Sequence, residues 1–216
     1  MGHPENRLSP PIQERSAADA GPARIGPNAI LRVAEALGTA CDAETRTRVF
    51  AHAGLDQYLE HPPQEMVDER EVALLHRSLR ELLGVEQARR IGRDAGRRTG
   101  DYLLANRIPP FAQAILKRLP AWLAERMLLK AIAGNAWTFA GSAHFSARPG
   151  RPTRLVFVGS QLCQGAVAAE PLCDFYAGTF ERLFRELVDR HTQVIEVQCQ
   201  GKGDPACVFE VRRAAG

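Results

Sequence analysis

Apolar residues recur at helical spacing from the N-terminal region up to Ala133. The apolar periods predict helices over residues 28–37, 43–53, 68–83 and 85–106. Gly38, Gly54 and Gly84 follow three of these periods, and glycine commonly ends a helix. A longer apolar period covers residues 111–133, with Pro120 inside it as a predicted kink. The N-terminal part of the chain is therefore predicted to be helical.

The pattern changes after residue 137. Residues 138–146 and 154–159 have the β-branched and aromatic content of strands, and a Pro/Gly-rich turn at 148–152 joins them. A helical period over 174–188 comes next. Two further strands are predicted at 193–199 and 206–212, around a Gly-Lys-Gly-Asp-Pro turn. Strand pairs joined by short turns favour an antiparallel sheet, so the predicted class is α+β, with N-terminal helices packed on a small antiparallel sheet.

The final hairpin carries two thiols at its turn end. Pairing around the turn brings Cys199 and Cys207 nearly opposite one another. Strict alternation predicts one apolar face made of Ile195, Val197 and Cys199 on the first strand and Cys207, Phe209 and Val211 on the second.

Cys173 and Glu196 complete a candidate ligand set with these two thiols. Three thiols and a carboxylate suit tetrahedral zinc. In a regular strand, however, Glu196 points away from Cys199, so joint ligation requires a bulge or twist near residues 197–198. Two alternatives stay open from spacing alone: thiols packed as small hydrophobes, or a cross-strand disulfide.

The hairpin also carries a family resemblance. The pattern E-x-x-C-x-x-x-G-D-P-x-C-x-F, which starts at Glu196 and is preceded by Cys173, resembles the signature of the 4-vinyl reductase domain. That domain occurs in bacteriochlorophyll-biosynthesis proteins of the BchJ type and in sensor domains of aromatic-responsive transcription activators. The motif covers the last quarter of the chain, and the length and the opening R-I-G-P-N-A-I resemble the BchJ-type proteins.

The resemblance implies a fold and a metal site. The fold is the one shared with TRAPP trafficking subunits and haem nitric-oxide sensors. In the sensor branch, three Cys and one Glu hold zinc, and the matching positions here are Cys173, Glu196, Cys199 and Cys207. Four protein ligands close a zinc site to water, so its expected role is structural. It would clamp the hairpin to the helix that begins near Cys173.

Composition indicates one globular domain. The chain has 216 residues, 45% of them hydrophobic and 25% charged, and the expected division is a disordered or loosely attached tail over 1–24 and a single domain over 25–213. Residues 136–213 form its sheet and zinc-motif half. A net charge of +3 with dispersed Arg argues against nucleic acid as the main partner. Five cysteines without a secretory signal favour a reducing cytosol, and no apolar run is long enough for a transmembrane segment.

Three glycines mark one face of the helix predicted at 85–106. Gly92, Gly96 and Gly100 recur every fourth residue, and each costs about 1 kcal/mol relative to Ala inside a helix. Such a smooth face admits a closely packed neighbouring helix or a broad, flat ligand, and spacing does not choose between them.

Four other side chains complete the predicted ligand pocket. Trp122 and Trp137 would supply aromatic contact, although such residues also commonly fill a core. His144 and His76 are candidates for an axial ligand to a bound magnesium ion. The alternative for His76 is a hydrogen-bonded histidine at the edge of the core.

No motif for a hydride cofactor accompanies these residues. The chain lacks G-x-G-x-x-G between a strand and a helix, a phosphate-binding G-x-x-x-x-G-K-[ST] loop, and ferredoxin-like Cys spacing. Whether the protein is an enzyme therefore stays open. The favoured function is a carrier or accessory factor in bacteriochlorophyll biosynthesis that binds a Mg-porphyrin or chlorophyllide intermediate. The alternatives are an enzyme that reduces the 8-vinyl group of divinyl protochlorophyllide, and a small-molecule sensor or scaffold.

Expected partners and location follow from the same observations. The expected ligand is a Mg-porphyrin or a divinyl protochlorophyllide-type tetrapyrrole. Subunits of Mg-chelatase or of a methyltransferase are candidate protein partners, and a homodimer is an alternative to a monomer. The expected location is the cytoplasm, with a peripheral position at the photosynthetic membrane as the alternative.

Overall fold

The computed structural model describes residues 23–213, which form a helical part followed by an antiparallel sheet. The helices are α1 (Asn28–Ala40), α2 (Ala43–His52), α3 (Gln57–Glu60), α4 (Glu69–Leu83), α5 (Val85–Asn106), α6 (Pro110–Arg118), α7 (Ala121–Gly134) and α8 (Asp174–Leu187). The strands are β1 (Arg24–Ile25), β2 (Val67–Asp68), β3 (His144–Arg148), β4 (Thr153–Val158), β5 (Gln193–Gln198) and β6 (Cys207–Arg212). Short 3-10 turns lie at 136–138, 161–163 and 200–202.

The predicted helices are all present, with three differences at element ends. Helix α1 continues past Gly38 to Ala40. The long apolar period at 111–133 forms two helices, because Pro120 lacks the N–H that would continue α6 and has an extended ψ of 138°. The strand predicted from residue 138 begins only at His144, since residues 136–138 form a 3-10 turn.

Residues 1–22 of the predicted tail lie outside the described residues. Arg24, the last residue of that tail, belongs to the fold: it is in β1 and pairs with Asp68 of β2. The domain therefore takes in at least one residue more than the sequence predicted.

The main sheet has the strand order β3-β4-β6-β5, with every neighbouring pair antiparallel. Alternate residues of β4 are buried, Phe157 among them, and they point the same way as Phe209 of β6. Their rings contact Tyr176 and Phe180 of α8. Helix α8 therefore covers one face of the sheet, and the α+β class is confirmed.

Helix α8 lies between the sheet and the N-terminal helices. Its other side packs along α5, and α1 and α4 pack on α5 in turn. None of the helices in the described region is both long enough and apolar enough to cross a bilayer. The layers place the N-terminal end of α8 beside the turn end of the β5–β6 hairpin, where the thiols meet.

Candidate metal centre

Four buried thiols converge at the N-terminal end of α8. Their sulfur atoms all lie within 4.8 Å of one another. The Sγ atom of Cys207 is 3.5 Å from that of Cys163 and 3.7 Å from that of Cys173, and Cys199 completes the group. We call these four residues the cysteine cluster. Sulfurs this far apart are not joined as disulfides.

Each thiol comes from a different point of the chain. Cys163 ends the 3-10 turn at 161–163, Cys173 directly precedes α8, Cys199 follows β5, and Cys207 is the first residue of β6. Arg80 of α4 fixes the first of these positions, since its guanidinium donates to the carbonyl oxygen of Leu162 at 2.8 Å. The cluster therefore links three segments that are distant in sequence.

A bulge in β5 turns Cys199 toward the cluster. The pairing with β6 shifts register between Glu196 and Gln198, which is the irregularity that joint orientation of Glu196 and Cys199 required. Val194 and Glu196 are buried on one side of the bulge, and Cys199 is buried on the other.

The predicted apolar face of β5 was therefore wrong in part. Strict alternation placed Ile195 and Val197 with Cys199, but Ile195 is 39% exposed, and Val194 and Glu196 take the inner positions. The extra residue of the bulge reverses the alternation before Cys199. The face of β6 is confirmed, since Cys207, Phe209 and Val211 are all buried.

The turn between Cys199 and Cys207 is held by short hydrogen bonds. The backbone N–H of Cys199 donates to Asp204 Oδ2 at 2.8 Å, and that of Gln200 donates to the Cys207 sulfur at 3.4 Å. Gly203 has φ +91°, a left-handed conformation that favours glycine. The Gly-x-Gly-Asp-Pro sequence therefore shapes a loop that presents both thiols and one N–H donor to the same point.

Glu196 lies beside the cluster and contacts its backbone. The N–H of Cys173 donates to Glu196 Oε2 at 2.7 Å, while Oε1 is buried without a hydrogen-bond partner among the described residues. Burial, with the nearby charge of Cys199, raises the pKa of Glu196 to about 9. In the metal-free arrangement this carboxyl group is therefore protonated at neutral pH.

The thiols compete for protons. Hydrogen bonds from Cys163, and then from Cys173 and Cys207, lower the pKa of Cys199. Hydrogen bonding with Cys163 raises the pKa of Cys173 and of Cys207. One thiolate is thus easily formed, whereas a second like charge at this distance is opposed without a cation.

The residues fit a tetrahedral zinc ion. With Zn–S bonds of about 2.3 Å, the sulfurs of a tetrahedral site are about 3.8 Å apart, close to the observed 3.5 and 3.7 Å. A divalent cation would also stabilise several thiolates at once. The cluster therefore has the donor type, the number and the spacing of a closed zinc site.

Cys163 is the residue that sequence reasoning missed. It belongs to no spacing motif with the other three thiols, and only the packing of the 161–163 turn brings it to Cys207. Its one signal in the sequence is a cysteine placed between two predicted strand regions and shortly before Cys173.

Helix α8 packs against the glycine face of α5. A Cβ atom added to Gly96 would lie 2.0 Å from the carbonyl oxygen of Phe175, and one at Gly100 would lie 2.7 Å from the side chain of Arg182. Gly92 is looser, with 3.6 Å to the backbone of Phe175. Of the two interpretations of these glycines, close helix packing describes what the structure places there.

His76 is buried on α4, edge-on to Phe175 with ring centroids 5.9 Å apart. Its Nε2 atom has no hydrogen-bond partner in the described part of the chain. Burial lowers the pKa of His76 to about 3, so the imidazole is neutral at physiological pH.

The other predicted pocket residues lie on the surface. Trp122 is 56% exposed, Trp137 is 66% exposed, and His144 is exposed at the start of β3. Two surface clefts of about 670 and 500 Å³ are lined by other residues.

An aromatic cluster fills the space between the sheet and α8. It consists of Phe139, Phe145, Phe157, Tyr176, Phe180 and Phe209, whose ring centroids are 4.4 to 6.4 Å from their neighbours. Phe139 and Phe145 are only partly buried, so they form its open edge. Sequence reasoning did not single this cluster out, because its members come from five separate segments.

Comparisons with known proteins give two kinds of match. The model of the 4-vinyl reductase domain family matches residues 154–213. The chain is 45% identical over 194 residues to the bacteriochlorophyll synthase 23 kDa chain of Cereibacter sphaeroides, which covers 88% of this chain and 93% of the relative. The corresponding protein of Rhodobacter capsulatus is 39% identical over 186 residues, or 86% of this chain and 85% of the relative.

Solved structures support the same fold. An unliganded Fe(II) H-NOX protein variant from K. algicida aligns with a TM-score of 0.60 at 10% identity, over 89% of this chain and 98% of the other. An H-NOX variant from T. Tengcongensis aligns with a TM-score of 0.52 at 12% identity, over 88% and 97%. At such identities the likeness concerns the fold alone.

Proposed function

The chain belongs to the family of the bacteriochlorophyll synthase 23 kDa chain, and from that membership we propose that it acts in bacteriochlorophyll biosynthesis. Its role there is to bind a Mg-porphyrin or chlorophyllide intermediate as a carrier or accessory factor. The observation that carries the proposal is the 45% identity to the Cereibacter sphaeroides relative over most of both chains. The name of that relative places it in a synthase assembly, so a protein partner of the same pathway fits the proposal.

The aromatic cluster supports a flat, apolar ligand. Stacked and edge-on rings are the surroundings that a tetrapyrrole plane prefers. Phe139 and Phe145, at the open edge of the cluster, are the rings that a ligand would displace on entry. The sheet and α8 would then form the two walls of the site.

His76 supports an interaction with the centre of such a ligand. Its neutral imidazole and its unpartnered Nε2 have the form required of a metal ligand or a hydrogen-bond partner, as far as the described residues extend. Aromatic contacts run from His76 to Phe175, from Phe175 to Tyr176 and from Tyr176 to Phe139. A ligand between the sheet and α8 would therefore approach the histidine along this row of rings.

A spectroscopic titration tests the carrier function. Purified protein is titrated with Mg-protoporphyrin and with divinyl protochlorophyllide, with and without NADPH. A carrier gives a shifted, saturable absorbance band that stays stable when NADPH is added. Loss of the divinyl spectrum with NADPH would instead support the reductase, and no binding of either pigment would contradict both and favour a scaffold.

Matched variants locate the site. Phe145→Ala should weaken pigment binding about tenfold, because one large stacking surface is lost. His76→Leu should change the band position, since the neutral imidazole is removed. His61→Ala, at an exposed loop histidine, is the control and should bind as the wild type does.

We also propose that the cysteine cluster holds a structural zinc ion. Cys173, Cys199 and Cys207 are ligands from the family motif, and Cys163 is the fourth, because its sulfur lies within 4.8 Å of the other three. Glu196, the predicted fourth ligand, then acts from the side by accepting the N–H of Cys173. When bound, the ion would neutralise the thiolates and fix the hairpin to α8.

Metal analysis decides between the two donor sets. Zinc content and the absorbance of a cobalt-substituted protein are measured for Cys163→Ser and Glu196→Gln, with Cys41→Ser as a control outside the cluster. We expect Cys163→Ser to lose metal and the thiolate bands to weaken, while Glu196→Gln and Cys41→Ser keep full occupancy. Full occupancy in Cys163→Ser with loss in Glu196→Gln would restore the three-cysteine, one-glutamate set.

A further inference from the structure

Large apolar side chains are concentrated on the outer side of α6 and α7. Of the nine exposed large hydrophobic residues among those the structure describes, five lie between residues 111 and 137. They are Phe111 at 69%, Ile115 at 49%, Trp122 at 56%, Met127 at 44% and Trp137 at 66% exposure. Exposed groups of this size mark interaction sites more often than single exposed residues do.

The exposed residues of α6 share one face. At 100° per residue, Phe111, Ile115 and Arg118 fall within about 60° of one another. Leu116, the buried residue of this helix, points to the opposite side. Helix α6 thus presents two apolar side chains and one cation outward.

Helix α7 repeats the arrangement. Trp122, Arg126 and Lys130 are spaced four residues apart, so they form one exposed stripe, and Met127 lies beside it. The buried residues Ala124, Glu125, Leu128, Leu129 and Ile132 occupy the inner side. We call Phe111, Ile115, Arg118, Trp122, Arg126, Met127 and Lys130, together with Trp137, the α6–α7 surface.

The charge of this surface has one sign. Between residues 107 and 138 the sequence contains five basic residues and one acidic residue, Glu125. Glu125 is 5% exposed and is held by Thr153 and Arg213, so it contributes no charge to the outer side. Lys117 is paired with Glu186.

The remaining cations are not neutralised. Among residues 23–213, no carboxylate lies within ion-pair distance of Arg118, Arg126 or Lys130. On α5, by contrast, Arg89, Arg93, Arg97 and Arg98 each pair with a carboxylate. The positive charge at α6 and α7 is therefore available to an external anion.

We propose that the α6–α7 surface binds the face of an anionic phospholipid bilayer. Aromatic, Met and Ile side chains would enter the headgroup region, and the three unpaired cations would contact lipid phosphates. Apolar and basic residues together on exposed helices are the pattern of interfacial membrane binding. The protein would lie on the membrane, and its helices α6 and α7 would stay parallel to the surface.

Charge selects this occupant over a second copy of the chain. A symmetric dimer through this face would bring two like-charged surfaces together, which is unfavourable. An anionic bilayer complements both the apolar groups and the cations. The inference does not depend on pigment binding, so the two proposals fail separately.

Vesicle binding by the full-length chain provides the test. Vesicles of phosphatidylcholine alone and of an equal mixture of phosphatidylcholine and phosphatidylglycerol are compared in sedimentation and fluorescence assays. Both tryptophans of the chain lie in the α6–α7 surface, so their emission reports insertion directly. We expect binding to the anionic vesicles, a blue shift of emission, and weakening by added salt.

Charge reversal and truncation on this surface make the test specific. The double variant Arg126→Glu/Lys130→Glu should bind the anionic vesicles about 30-fold more weakly or less, since each basic residue contributes a factor of about 5. Trp122→Ala should weaken binding and reduce the shift. Arg190→Glu, an exposed cation away from this surface, is the matched control and should bind like the wild type.

Two results would overturn the proposal. One is equal vesicle binding by the wild type and the double variant, or no binding of the wild type to anionic vesicles. The other is a concentration-dependent dimer in sedimentation that Trp122→Ala dissociates, because that result assigns the surface to a second copy. Unchanged far-ultraviolet circular dichroism of the variants verifies that they fold.

Discussion

The region around α8 and the α6–α7 surface use the same kinds of side chain in opposite ways. Around α8, aromatic rings pack on one another, arginines on α5 are paired with carboxylates, and thiols lie at van der Waals distance. On the α6–α7 surface, two tryptophans are more than half exposed and three cations are unpaired within the described chain. The first region is saturated with internal contacts, whereas the second keeps its contacts for something outside.

The difference shows how function can be divided over one small fold. A saturated region tolerates little change, because each added or lost atom must be accommodated by packed neighbours. An open surface tolerates substitution in the isolated protein and loses only its external interaction. The two regions should therefore separate in any experiment that measures stability and binding side by side.

The largest expected effect is at the helix seam. Gly96→Ala should destabilise the fold by about 3 kcal/mol or more, because its Cβ atom would lie 2.0 Å from a backbone oxygen of α8. Gly134→Ala, at the end of α7, has nothing within 4 Å of the new Cβ and should be neutral or stabilising by up to about 1 kcal/mol. Urea unfolding of both variants checks the pair, and equal losses would contradict the contrast.

Removal of zinc should come second. If the cysteine cluster holds zinc, chelation removes the link between the hairpin and α8, and the midpoint of thermal unfolding should fall by about 10 °C. Vesicle binding measured well below that midpoint should not change, since the α6–α7 surface has no part in the cluster. Circular dichroism melts with and without chelator test this. An unchanged midpoint for a zinc-loaded sample would contradict a structural role.

A pH effect of intermediate size is expected at His76. Its pKa is about 3 in the folded protein and about 6.5 in the unfolded chain. As the pH falls below 6.5, the unfolded chain takes up a proton that the folded protein does not, so the free energy of unfolding decreases. The loss should be about 1.5 kcal/mol between pH 6.5 and 5.0, and it should level off near pH 3.

His76→Leu isolates that contribution. Unfolding measured over this pH range should show a shallower dependence in His76→Leu than in the wild type, while the exposed-site variant His61→Ala keeps the wild-type dependence. A slope that is the same in all three proteins would show that His76 does not remain neutral on folding.

The smallest effect on stability is expected for Trp122→Ala. Exposed side chains contribute little to folding, so the free energy of unfolding should change by about 0.5 kcal/mol or less. The same variant should bind anionic vesicles more weakly. A loss of stability as large as that of a core truncation would mean that Trp122 packs internally and would blur the distinction between the two regions.

The sequence predicted the helices and strands well because their periods are clear. The apolar stripes of α4 and α8 and the Val/Ile/Phe runs of β4 and β6 lie within one or two residues of the predicted segments. The hairpin motif also pointed to Cys173, Cys199 and Cys207, and the need for an irregularity near residue 197 followed from the alternation rule. Each of these inferences depends on neighbours within a few residues.

The sequence by itself thus determined the α+β class, the order of the elements and three of the four clustered thiols. Only the tertiary structure decided that Cys163 joins them, that α8 covers the glycine face of α5, and that Glu196 bonds to the backbone of Cys173. The physical reason is distance along the chain. Periodicity and turn chemistry are local, whereas the meeting of Cys163 with Cys207, or of Gly96 with Phe175, depends on how whole layers pack.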